Sequence, residues 1–156
     1  MFLFRAATPR QVDIGLMILR FVVGVIFITH GGQKLFVYGF DGVTGAFGQM
    51  GVPMPALMGP FVALLEFLGG LALAAGLLTR LVSLGLSSTM VVAIVLVHLK
   101  AGFFNPNGIE FPLSLLGSTL LLVIAGAGSY SLDALIAGRS EKTPADSELA
   151  RIRRAA

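Results

Sequence analysis

Four long apolar stretches, at 12–34, 60–79, 81–102 and 112–127, alternate with short polar or glycine-rich breaks. A bilayer core about 30 Å thick needs about 20 helical residues to cross it, so each stretch predicts a transmembrane helix. Pro60 suits the first turn of the second span, where a missing N–H costs nothing. Thr79 and Arg80 predict a very short turn, which makes spans two and three antiparallel neighbours. The fourth span is short, and an extension through Gly126 and Gly128 would carry it to Ser131. Ser131 suits the N-cap of a small terminal helix, SLDALIAG. Residues 35–57 are too apolar for a solvated linker and predict a short helix at 43–50, closed by Gly51 and Pro53. Residues 103–111 form a loop rich in turn signals at Asn105, Pro106, Asn107 and Gly108. The fold expected is an all-α integral membrane protein. It is an antiparallel four-transmembrane-helix bundle with a short interfacial or re-entrant helix between helices 1 and 2. Residues 1–138 make one membrane domain and 139–156 a charged cytoplasmic tail.

Composition supports this. Of 156 residues, 56% are hydrophobic and 12% charged, about half the charged share of a soluble domain. The net charge of +3 does not point to nucleic acid, because the basic residues sit mostly in the tails. The bias in Lys and Arg instead sets an orientation. Arg5, Arg10, Arg80, Arg139, Lys142, Arg151, Arg153 and Arg154 fall on one side, against Lys34 and Lys100 on the other. The positive-inside rule then places both termini in the cytoplasm. The first apolar stretch outruns a signal-peptide h-region and no A-x-A-like site follows it, so it predicts a retained helix. With no cysteine, the chain has no thiol of its own for a disulfide, thiol exchange or iron–sulfur ligation.

Within so apolar a chain, the buried charges carry the candidate chemistry. Arg20 and Glu66, counted inward from opposite surfaces, both fall near the middle of the bilayer and are expected to form an ion pair. Arg20, Gly24, Phe27, Gly31 and Lys34 share one helical face, and Glu66, Gly69, Gly70 and Leu73 share another; their small residues permit close helix approach. A purely structural pin is the competing account of the pair. Toward the outer end, His30 and His98 fall at one level, His30 and Lys34 are an i, i+4 pair, and Glu110 is expected to cover them from the loop. Walled by Phe27, Phe36, Phe61 and Phe104, these groups predict a narrow pocket open to the outer leaflet. HGGQKLF at 30–36 and HLKAGFF at 98–104 echo one another, as two hairpins related by an axis along the membrane normal would require. Histidines at one depth also match haem b ligation, but a second pair and a supporting aromatic signature are missing. No metal site is expected, and there is no Ser-His-Asp set, phosphate loop or HExxH motif.

Between residues 14 and 136 the chain resembles the DoxX family of small four-helix membrane proteins. The resemblance rests on R-x3-G-x5-HGGQK, GVP at 51–53, E-x2-GG with LALAAGLLTR at 66–80, H-x3-GFF, NGIEFPL at 107–113 and GAGSYSLD at 126–133. It implies association with quinone-linked redox systems and with thiol-handling partner enzymes. It marks Arg20, His30, Lys34, Glu66, His98 and Glu110 as the matching polar positions. The expected function is a membrane subunit of a redox-associated, quinone-linked complex that binds a lipophilic small molecule, with an oxidoreductase as partner. A small-molecule or proton transporter is the first alternative, and a non-catalytic scaffold or assembly subunit the second.

Overall fold

The computed structural model describes residues 6–140; the expected tail from 141 onward lies outside them. All regular elements in that range are helices: α1 (Pro9–Gly32), α2 (Gly39–Gln49), α3 (Pro55–Ala75), α4 (Thr79–Val92), α5 (Glu110–Ala125) and α6 (Leu132–Ser140). The expected helical membrane bundle is what the chain forms. Three helices are long and apolar enough to cross a membrane, α1, α3 and α4 with its continuation to Ala101; α5 is apolar but shorter, at 16 residues.

The boundaries shift for identifiable reasons. Helix α1 starts before the apolar run because Thr8 and Gln11 form a reciprocal capping box ahead of it, with Pro9 in the first turn. Helix α3 starts at Pro55, which takes the first-turn role expected of Pro60; Pro60 lies inside the helix. The turn between α3 and α4 is Gly76–Leu78 rather than Thr79–Arg80. Gly76 is left-handed at φ 71°, and Leu77 N–H reaches back to the Ala72 carbonyl at 2.8 Å, which closes α3 as a Schellman cap. The fourth span does not extend toward Ser131. It stops at Ala125, where Gly126 turns to φ 80°.

The short helix expected between spans one and two is present as α2, four residues longer at its start than sequence suggests. Helix α1 runs into it through a wide π turn, Gln33–Tyr38, and Gly39 at φ 66° breaks the direction. Helix α2 then folds back onto α3, where Gly59 lets Val43 and Thr44 approach.

Helix α1 packs most closely on α3, and α4 on α5; contacts of α3 with α4 and of α1 with α5 close the bundle. The α1–α3 seam works through missing side chains. A methyl group on Gly24 would meet the Gly70 carbonyl at 2.8 Å, and one on Gly31 would strike the backbone of Phe67. Close backbone approach of this kind supplies the dispersion contact that the hydrophobic effect does not supply in lipid. Leu16, Val23, Phe27, Leu73, Leu86, Met90, Leu115 and Leu122 form the core behind it. Helices α4 and α5 are also joined by a buried hydroxyl bridge, Ser87 donating to Thr119 at 2.8 Å.

Candidate functional site

The two buried charges do not pair with one another. Glu66 accepts from Lys34, whereas Arg20 donates to the carbonyls of Leu73 and Ala74 at 3.3 Å each and to that of Tyr130. The expected Arg20–Glu66 pair fails on register. In the antiparallel α1–α3 seam Arg20 lies against the end of α3, while Glu66 lies against Gly31, eleven residues or roughly 16 Å further along α1. Helix α1 runs about eleven residues past the Gly76 end of α3, so Arg20 meets the end of α3 and not its middle.

Lys34 reaches Glu66 because α1 widens there. The π turn that begins at Gln33 holds Lys34 over α3, and Gly31 lets the two backbones touch just below. Glu66 is almost fully enclosed, with 5% of its side chain exposed, while Lys34 keeps 22%. The ion pair is therefore sealed on the α3 side and reachable on the Lys34 side. Phe36, two residues after Lys34, and Phe67, next to Glu66, pack edge to face with ring centroids 5.5 Å apart, and both rings lie against Gly32. A donor and a carboxylate thus meet close to a pair of aromatic rings at one end of the α1–α3 seam.

The histidines are arranged differently from the expected layer. His30 is exposed, with its ring 5.9 Å from that of Phe111 at the start of α5. His98 is half-buried and its Nδ1 lies 2.7 Å from the Asn107 carbonyl, so it braces the loop before α5. Glu110 accepts from Asn105 N–H at 3.1 Å and belongs to the same loop. Among the described residues no hydrogen bond joins either histidine or Glu110 to Lys34 or Glu66. Of the expected aromatic walls, Phe27 is buried in the core, and Phe36, Phe61 and Phe104 are exposed. Each of two up-running spans ends in a π turn, Gln33–Tyr38 and Ala93–His98, but the first begins three residues after His30 and the second five before His98. The HGGQKLF–HLKAGFF echo is therefore not matched turn for turn.

At the other end of the bundle lies a polar hub whose pairings composition and depth did not foretell. Both oxygens of Asp133 accept from the first amides of α4, Leu78 N–H at 2.7 Å and Thr79 N–H at 2.9 Å, while Asp133 N–H donates to the Gly76 carbonyl. Asp13 accepts from Ser129 through its backbone at 3.1 Å and its hydroxyl at 2.7 Å. Ser131 caps α6 as expected, accepting from Ala134 N–H at 3.1 Å. The segment GAGSYSLD thus ties α1, the α3–α4 turn and α6 together. The only signal for it in the sequence was the motif itself, which no local periodicity explains.

Comparison with known proteins places the chain in a family. The DoxX family model matches residues 15–99. The chain is 33% identical to the Bacillus subtilis (strain 168) protein named "Putative oxidoreductase CatD", over 81% of this chain and 90% of that one. It is 36% identical to the Escherichia coli (strain K12) inner membrane protein YqjF, over 80% and 93%. It is 34% identical to the inner membrane protein YphA of the same organism, over 83% and 93%. No solved structure matches the chain.

Proposed function

The chain belongs to the DoxX family of membrane proteins, and from that premise we propose that it is the membrane subunit of a redox-associated complex and binds a quinone-like lipophilic molecule at Lys34 and Glu66. The observation that carries this is the buried ion pair with one open side, close to the Phe36 and Phe67 rings. An intramembrane ion pair is expensive, and such groups default to functional sites. The chemistry suits a quinone headgroup, whose carbonyl oxygens need a donor, which Lys34 is, and whose reduction takes up protons, which a carboxylate relays. That a relative carries the name of an oxidoreductase supports the redox half of the proposal. With no cysteine in this chain, any thiol chemistry belongs to a partner enzyme.

Photolabelling tests it. A photoactivatable quinone analogue in membranes containing the full chain should mark peptides that carry residues 31–38 and 66–67. Lys34→Met should reduce labelling by about tenfold, as loss of a charged hydrogen bond implies, and added unlabelled quinone should compete. Labelling that ignores Lys34→Met, or that lies on other helices, would overturn the proposal.

A further inference from the structure

Arg20 takes no part in the quinone site, and it sits at the opposite end of the α1–α3 seam. It is 1% exposed, yet it forms the polar floor of a cavity of about 360 Å³. The walls are Met17, Ile18 and Phe21 of α1, Ala75 at the end of α3, and Tyr130. Phe21 and Val22, the lining residues on the bilayer side of Arg20, are both at least half exposed on a helix long and apolar enough to span the bilayer, so the cavity opens toward acyl chains.

The guanidinium is not fully answered by the protein. Among the described residues its five N–H groups meet only the carbonyls of Leu73, Ala74 and Tyr130, and the buried Nε has no hydrogen-bond partner. Carbonyls at the end of α3 offer the negative pole of the helix dipole but no full charge. Asp133 is close enough to act on Arg20 electrostatically, but its two oxygens are bonded to the amides of Leu78 and Thr79. An acceptor carrying negative charge is what the site lacks.

Depth selects the source of that charge. Arg20 is level with the Gly76 turn that ends α3, which places it near the boundary between hydrocarbon and headgroups. A molecule fitting both features has an anionic headgroup at that boundary and a chain that lies along α1. We propose that this groove binds an acidic phospholipid, with its phosphate on Arg20 and one acyl chain running inward along Phe21 and Val22. Basic pockets between transmembrane helices recognise acidic lipids in this way. The lipid completes the electrostatics of the joint where α1, α3 and the 126–133 segment meet.

Native mass spectrometry of the full chain in detergent tests the site, using phosphatidylglycerol and phosphatidylcholine of identical acyl chains as probes. The wild-type chain should retain phosphatidylglycerol about fivefold better, the size expected for one basic side chain near an anionic surface. Ala75→Phe, which fills the groove and leaves residue 20 an arginine, should bring the two lipids to parity. Met17→Trp, which fills it from α1, should do the same and guards against misfolding of the first variant. Equal retention by the wild-type chain would overturn the proposal, as would a preference that survives both substitutions. Displacement of the lipid by equimolar inorganic phosphate would also overturn it, since the site would then recognise a free anion.

Discussion

At the residue scale, partner choice in this bundle follows register. Lys34 and Glu66 face each other because Gly31 lets α1 and α3 touch; Arg20, one seam-length away, is held by carbonyls. Removing one member of a buried ion pair leaves the other charge unpaired and costs about 3–5 kcal/mol. Glu66→Gln and Lys34→Met should therefore each lower stability to thermal unfolding in detergent, and the double variant should recover much of the combined loss. Arg20→Met paired with Glu66→Gln should be additive, because the two residues share no contact. Strong coupling between Arg20 and Glu66, with none between Lys34 and Glu66, would contradict the observed pairing. His98 carries a different expectation: with its ring on the Asn107 carbonyl, its substitution should loosen the loop before α5 rather than remove a ligand donor.

At the element scale, the Gly76–Leu78 turn carries two left-handed residues with opposite consequences. Gly76, at φ 71°, stands where a methyl group would run into the Arg20 guanidinium and Ser131. Gly76→Ala should lower stability by at least about 1–3 kcal/mol from backbone strain alone, with the clash in addition. Leu78, at φ 48°, is a non-glycine residue in the same region, its side chain exposed and its N–H held by Asp133. Leu78→Gly should raise stability by about 0.5–1 kcal/mol, since it relieves left-handed strain. Thermal unfolding of the two variants beside the wild-type chain checks both signs, and a loss from Leu78→Gly would show that its side chain, not its backbone, matters. The same turn shows why sequence misplaced the boundary. TR at 79–80 looks like a polar break, but Thr79 is buried and opens α4 because the α6 carboxylate of Asp133 caps its amide.

At the scale of the whole molecule, the bundle has two unlike ends. One carries Pro9, the Gly76 turn and the 126–133 hub; the other carries α2 and the loop before α5, with Phe36, Phe40, Phe103 and Phe104 exposed as an interfacial aromatic belt would be. The Lys and Arg bias predicts that the first end is cytoplasmic. Single cysteines at positions 45 and 107 should then react with an impermeant thiol reagent in intact cells, and one at position 138 should react only after permeabilisation. The chain has no cysteine to confuse the readout. The opposite pattern would invert the topology without altering any helix contact described above.

Hydrophobic periodicity sufficed for the four apolar helices of the bundle, the short helix after the first, and the inward stripes. Of the residues those stripes contain, Arg20, Gly24, Phe27, Gly31, Glu66, Gly69, Gly70 and Leu73 are buried. Such features follow from the cost of exposing polar groups to lipid, which acts on each helix separately and is visible along the chain. Pairing across helices was not visible in the same way. Whether Glu66 meets Arg20 or Lys34 depends on where α3 starts and how far α1 slides along it. Those are set by backbone contact at Gly24, Gly31 and Gly70, by a π turn, and by Asp133 reaching back across the end of the bundle. Each is a contact between residues far apart in the chain, and a displacement of a few residues along a helix exchanges one partner for the next.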